Sequence, residues 1–195
     1  MHIFRHMITI PTLKSERITL RPFSLDDAKN VQKLAGDKKI AETTLDIPHP
    51  YPDGAAEEWI STHQKEYEEN KSIIWAITKN DTGELVGAID FRLRPEFNKA
   101  EFGFWIGVPF WNNGYASEAL SLILKYGFEE LKLNKIYAHH FITNPASGKV
   151  LLHNGLKEEG YLREDIIKNG EYIDVKIYSI LRSEYDKLNP ANRYS

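Results

Sequence analysis

The sequence predicts an α+β fold: a mixed, largely antiparallel sheet flanked by helices. Three observations lead there. Ser72 to Thr78 and Glu84 to Phe91 are two strand patterns joined by the turn Asn80-Asp81-Thr82-Gly83, which makes an antiparallel hairpin. Residues 101–107 form a third strand that runs through a short loop into a helix. Residues 133–143, LNKIYAHHFIT, form an apolar strand that leads into another helix at Asn144. The strands at 101–107 and 133–143 run parallel, because a helix crosses over between them. Meandering strands followed by strand–helix–strand units give a mixed sheet.

Each element has its own local signal. Glu16 to Phe23 alternates and ends at Pro22. Leu25 to about Gly36 has helical spacing at Ala28, Val31, Leu34 and Ala35, with Ser24 as N-cap before Asp26 and Asp27. Residues 45–54, LDIPHPYPDG, hold three prolines and a glycine and form an irregular loop. Ala55 to about Asn70 is a helix carrying Trp59, Ile60 and Tyr67. In the third strand Phe102, Phe104 and Ile106 alternate with Glu101, Gly103 and Trp105. Pro109 stops ladder pairing, and Asn112, Asn113 and Gly114 supply a permissive turn. From Tyr115 the period becomes helical, with Ala116, Ala119, Leu120, Ile123, Gly127 and Leu131 on one face. Tyr172 to Leu181 alternates over a long strand in a closing pair.

The 195 residues suit one domain spanning 1–195, with residues 1–10 read as a tail and Met7 as an alternative start. A hydrophobic share of 42% with 27% charged residues is that of a soluble globular chain. The net charge of −3, without a long run of one sign, argues against a nucleic-acid surface. There is no cysteine, hence no thiolate nucleophile and no Cys-ligated zinc, and a reducing cytoplasm suits such a chain. No apolar run approaches a membrane span. His139 and His140 are adjacent on a strand and face opposite ways, so they chelate one metal poorly; no metal is expected. One of the two lines the substrate side or packs in the core.

A flexible loop that opens a helix points free N–H groups at one spot. The segment around Asn112–Ser117 is therefore either an anion site suited to a phosphate or an ordinary capped connection. Asn144 and Ser147 open the next helix, as ligand contacts or as caps. The proline-stiffened loop before the second helix is a common place for specificity, so His49, Tyr51 and Trp59 are candidates for the substrate mouth. Alternatively Tyr51 packs down on the core. Gly114-Tyr115-Ala116 is not G-x-G-x-x-G, and there is no Walker Gly-Lys-Ser/Thr, which removes a nucleotide-binding Rossmann reading.

The ordered set AEFGFWIG, FWNNGYASEAL, FEELKLNKIYA, NPASGKVLLHNGL and GYLRED…NGEYIDVKIYSILRSEY, with SERITLRPF and IPHPYPDGAAEEWI upstream, resembles the GNAT superfamily of acyl-CoA N-acyltransferases. It is most similar to the Rim-type branch of ribosomal-protein N-terminal acetyltransferases, and the likeness covers nearly the whole chain. The resemblance implies that the parallel central pair splays apart at its C-terminal end and that acetyl-CoA is the acyl donor. Carried over, it places the pantetheine arm on Trp105, Ile106 and Gly107. It places the pyrophosphate on Asn112, Asn113, Gly114, Tyr115, Ala116 and Ser117, with Asn144 as a further donor contact. Three positions depart from the usual pattern. Trp111 stands where Gln or Arg is frequent, Leu156 replaces the Phe of Gly-Phe, and Leu151 stands where many relatives have a tyrosine acid. Ser147 offers a hydroxyl instead.

Acyl transfer to an amine needs a neutral amine, a polarised carbonyl and a protonated leaving thiolate. Glu101 is placed to accept the amine's proton if burial raises its pKa; otherwise it is a solvated strand-end Glu paired with Lys99. With no cysteine, direct attack in a ternary complex is expected rather than an acyl-enzyme. The resemblance favours a protein or peptide N-terminal α-amine. The alternatives are a small amine such as a polyamine, amino acid or antibiotic, and a non-catalytic acyl-CoA-binding module. A homodimer is compatible with the chain.

Overall fold

The structure, a computed structural model, describes residues 9–190; the expected tail at residues 1–8 and the start at Met7 lie outside them. Ile10 does not belong to a tail, since it is buried in the main apolar cluster. Among the described residues eight strands form one sheet: β1 (Leu13–Lys14), β2 (Ile18–Arg21), β3 (Ser72–Lys79), β4 (Leu85–Arg94), β5 (Lys99–Ile106), β6 (Lys135–Phe141), β7 (Lys157–Lys168) and β8 (Glu171–Leu181). Their spatial order is β1-β2-β3-β4-β5-β6-β8-β7, antiparallel throughout except for the β5–β6 pair. The helices are α1 (Ala28–Ala35), α2 (Lys38–Thr43), α3 (Ala55–Glu68), α4 (Tyr115–Lys125), α5 (Pro145–His153) and α6 (Arg182–Leu188).

The expected strands, hairpin and helices are present, with ends shifted by a few residues. Three elements were not expected: β1, α2 and α6, of two, six and seven residues. Segments this short contain too few repeats of either period to be read.

The two-residue period of β5 is what divides the core. Phe102 and Ile106 join the apolar cluster under α4 and α5, while Trp105 joins the cluster built by α1 and α3 on the other face. Strand β3 is covered on both sides, and Ser72 to Thr78 are buried without a break. Beyond α4 the chain makes a π-turn at Tyr126–Glu130. Gly127 lies there against the sheet, where an added Cβ would come within 2.7 Å of Ile136 Cδ1. Only a residue without a side chain allows that approach.

What positions the site is the short length of the β5–β6 ladder. The strands pair only at Lys99/Lys135, Ala100/Ile136 and Glu101/Tyr137. After that β5 stays with β4 as far as Ile106, and β6 stays with β8 as far as Phe141. The parallel pair therefore splays apart at its C-terminal end, as expected. The β7–β8 hairpin closes through Asn169-Gly170, both in the left-handed region at φ 52° and 83°, as a two-residue turn of this composition requires. Strand β7 is largely exposed, charged and twice out of register with β8, which protects the edge of the sheet.

Candidate active site at the strand gap

The strand gap and the loop after β5 are lined mostly by backbone. Gly107 N–H donates to Val86 O at 2.8 Å, so Gly107 faces β4. In a strand the neighbouring residues alternate. Phe102, Phe104 and Ile106 therefore turn their N–H and C=O groups to the gap, and Trp105 and Gly107 turn theirs away. Of the three residues expected to meet a pantetheine arm, Ile106 alone is oriented for it, and the alternation adds Phe104, since the Phe102 N–H closes the last β5–β6 pair. The Ile106 carbonyl accepts a hydrogen bond from the Trp111 indole at 2.6 Å. The aromatic residue in the loop thus braces the end of β5.

The loop itself is fixed by its own residues. Asn112 and Gly114 take φ 62° and 80°. The Asn113 side chain donates to the carbonyls of Phe110 and Trp111 at 3.1 and 3.0 Å, which occupies its amide in the turn. Helix α4 starts at Tyr115, and the first N–H groups of a helix have no intrahelical acceptor. Those of Tyr115, Ala116 and Ser117 are the ones at this end. Ser117 Oγ accepts from Asn154 Nδ2 at 2.8 Å, which ties α4 to α5. A cation completes the spot. Arg17 donates to Asn113 O at 2.9 Å and to Glu118 Oε2 at 2.7 Å. Its Nη2 lies 3.3 Å from where a Cβ on Gly114 would be. An N-terminal dipole, free N–H groups and a guanidinium are a suitable cradle for a pyrophosphate. Arg17 is remote in sequence from the loop, so no local pattern identified it.

At the start of α5 the capping residue is Asn144. Its Oδ1 accepts from Ser147 N at 3.3 Å, and its Nδ2 donates to Ser147 Oγ at 2.9 Å. Ser147 is therefore not the cap. Its hydroxyl accepts from Asn144 and keeps its own proton to donate. Leu151, at the expected tyrosine position, is buried and forms part of the wall. His140 faces α5: its Nδ1 meets Phe141 O at 2.8 Å, its ring stacks on Tyr178 at 5.3 Å, and Nε2 has no partner.

On the α1/α3 face the gap is lined by side chains. A cleft of about 770 Å³ opens onto the strand gap. Tyr51 and Trp59 line it; His49 does not, and bonds instead to the Gly36 carbonyl through Nδ1 at 3.0 Å. The far side is held by Lys168 of β7, which donates to the carbonyls of Ala41 and Thr44 at the end of α2. Asp46, Glu66 and Asp165 lie around the wall.

At the base of the cleft Glu101 Oε1 lies 3.3 Å from His139 Nδ1 and 3.5 Å from Arg92 Nη2. Lys99 is elsewhere, its ammonium over the rings of Phe97 and Tyr137 at 5.3 and 5.2 Å. The expected raised pKa of Glu101 is overturned. Burial pushes it up, but the hydrogen bond from His139 and the Arg92 charge more than offset that and hold Glu101 below the ordinary value. The carboxyl with a raised pKa is Asp90 on β4, which burial pushes up to about 6. Sequence reading missed Asp90 and Arg92. The available signal was a carboxylate inside the apolar run LVGAIDF, where a buried charge needs a reason. Among the described residues no three His, Asp or Glu side chains are grouped to hold a metal, and no helix is long and apolar enough to cross a membrane.

Comparison with known proteins agrees with this geometry. The family model for the acetyltransferase (GNAT) domain matches residues 17–157. An uncharacterized N-acetyltransferase, YoaA of Bacillus subtilis, is 34% identical over 88% of this chain and 97% of its own length. The ribosomal-protein-serine acetyltransferase of Escherichia coli is 31% identical over 62% of this chain and 64% of its own. The crystal structure of a spermidine N-acetyltransferase from Vibrio cholerae, in complex with CoA and spermine, superposes with a TM-score of 0.74 at 27% identity, covering 86% of this chain and 97% of that one. A splayed β5–β6 pair, a helix N-terminus beside it and a family match over most of the sheet lead to one conclusion: this chain belongs to the GNAT family of acetyl-CoA-dependent N-acetyltransferases.

Proposed function

We propose that this enzyme acetylates the N-terminal α-amine of a protein or peptide, by direct attack of the amine on acetyl-CoA in a ternary complex. The observation that carries the reading is the junction of two half-sites: the backbone-lined gap between β5 and β6 meets the carboxylate-lined cleft at Glu101. A thioester in the gap and an amine in the cleft then come together at the point where the strands separate. The α4 N-terminus and Arg17 would hold the pyrophosphate, the β5 edge at Phe104 and Ile106 the amides of the donor arm, and Glu101 the incoming ammonium. Ser147, with its hydroxyl proton free, stands at the α5 start to protonate the leaving thiolate. The likeness to the ribosomal-protein-serine acetyltransferase supports a peptide acceptor.

A second reading, a small polyamine acceptor, is favoured by one observation. Asp46, Glu66 and Asp165 add negative charge around the cleft beyond the reacting end, and the spermidine enzyme described above shares the fold. Thiol release from acetyl-CoA, measured against a panel of N-terminal peptides and free polyamines, separates them. The proposal requires a higher kcat/KM for peptides; faster turnover of spermidine than of any peptide reverses the assignment.

A further inference from the structure

We propose that Asp90, not Glu101, accepts the proton that the acceptor amine must lose, and that Gly103 on the facing strand makes room for it. This rests on the transferase reading, but not on which amine is acetylated.

Geometry comes first. Asp90 lies on β4 directly opposite Gly103 of β5, two residues past Glu101, where the β5–β6 ladder ends. Both residues line the cleft. The carboxyl stands over the bare Gly103 backbone: a Cβ there would be 3.2 Å from Asp90 Oδ2 and 2.9 Å from Arg92 Nη2. Oδ1 is buried 3.4 Å from Arg92 Nε and has no hydrogen-bond partner. The side chain as a whole remains 30% exposed, which leaves a face open to the cleft. Arg92 and the Gly103 N–H work against burial at this carboxyl, while Oδ1 is left without a hydrogen-bond partner, which costs the fold. Arg92 on its own strand and Glu101 on β5 act on its charge, and the cleft it faces is also lined by His139 on β6, Asp46 in the loop after α2, Glu66 on α3 and Asp165 on β7. Among the described residues Arg92 alone lies within ion-pairing distance, and it is shared with Glu101.

The chemistry follows from the contrast between the two carboxyls. A base that accepts protons near neutral pH works best with a pKa not far below the operating pH. Glu101 is held too low by His139 and Arg92. Asp90, pushed up to about 6, is ionised at pH 7 and is the stronger base. In the step proposed, an ammonium in the cleft gives one proton to Asp90. The freed nitrogen lone pair forms the C–N bond, the C–S bond breaks, and its electron pair leaves on the thiolate. The nitrogen then loses its second proton. One of the two protons ends on the CoA thiol and the other passes to solvent, so the sum is amide, thiol and one released proton.

The test compares Asp90→Asn, Glu101→Gln, His139→Gln and Gly103→Ala in the full-length enzyme. It uses whichever primary amine of the peptide and polyamine panel the wild type acetylates best, so the identity of the acceptor is decided separately. Asp90→Asn is expected to lower kcat by about 10²–10⁴-fold, to abolish the acidic limb of kcat/KM near pH 6, and to leave acetyl-CoA affinity by calorimetry close to wild type. The sign for stability is the opposite of a structural role. A carboxyl whose folded pKa is raised destabilises the fold above that pKa, and the penalty fades as pH falls from about 6 toward the unfolded value of ~4. The Asn variant is therefore expected to melt higher than wild type at pH 7.5, with the gain shrinking toward pH 4. His139→Gln keeps the limb if the titrating group is Asp90. Gly103→Ala, which crowds the Arg92 guanidinium and the Asp90 carboxyl, lowers kcat more than it raises the KM of acetyl-CoA. Near-normal kcat with the limb retained in Asp90→Asn overturns the assignment, as does loss of the limb in His139→Gln alone. An Asp90→Asn variant that melts lower and binds acetyl-CoA poorly makes Asp90 a structural residue.

Discussion

The two halves of the site are built differently. The proposed donor half is a continuous stretch, β5 through the first turn of α4, and the groups assigned to recognition there are mostly main-chain. The acceptor half is assembled from side chains of β4, β5, β6, the loop after α2 and the far hairpin. A main-chain site depends on a turn and a helix start, so it tolerates exchange of most side chains. Trp111 shows this: an indole replaces a frequent polar residue and still serves the loop, by holding the Ile106 carbonyl. A side-chain site depends on individual charges, and each sets the pKa of the next. Glu101 and Asp90 are both carboxyls in one cleft, yet Arg92 and His139 lower one while burial raises the other.

If this division is correct, the largest effect comes from blocking the main-chain half. Gly114→Glu puts a carboxylate beside the α4 N-terminus and a side chain at φ 80°, where the left-handed strain is about 1–2 kcal/mol. Acetyl-CoA binding should be lost while far-UV circular dichroism keeps the native signal. Wild-type affinity by calorimetry would move the phosphate site elsewhere.

Breaking one charge of the side-chain half should leave the donor half intact. Glu101→Gln is expected to lower kcat/KM for the amine about tenfold, ~1.4 kcal/mol, without changing acetyl-CoA affinity. Because Glu101 is already ionised well below neutral pH, the acidic limb near pH 6 should stay in place. A limb that disappears in this variant returns the proton-accepting role to Glu101.

Ser147 lies between the halves. Asn144 does the capping, so Ser147→Ala should leave stability within about 0.5–1.5 kcal/mol, the net worth of the lost Asn144 hydrogen bond. Transfer should slow, and the slowing should shrink with a donor whose thiol has a lower pKa. Equal slowing with both donors assigns the proton to water.

The smallest effect expected is at Arg17. Arg17→Ala removes one exposed cation from the phosphate cradle and should weaken acetyl-CoA by ~0.3–1 kcal/mol, with a shallower dependence on salt. Titrations at two ionic strengths measure it. A loss as large as that of Gly114→Glu would mean that the guanidinium, not the helix end, dominates the anion site.

Much of the donor half was legible because its signals are local. The alternation of Phe102, Phe104 and Ile106, the Asn112-Asn113-Gly114 turn and the apolar face from Ala116 each need only neighbours in sequence to be read. Even there the side of the strand was misassigned: Trp105 and Gly107 face β4, and only the ladder partner Val86 reveals it. The pairing of His139 with Glu101 joins residues 38 apart, and Arg17 reaches Glu118 across 101 residues. No periodicity reports such distances.

The sequence by itself determined the order of the longer strands and helices, the parallel central pair and the helix that opens at Tyr115, because hydrophobic periodicity and turn chemistry act between residues close along the chain. Only the tertiary structure decided which carboxyl is the stronger base. A pKa is set by burial and by charges within a few ångströms, and for Asp90 and Glu101 those charges come from different strands that meet only when the sheet forms.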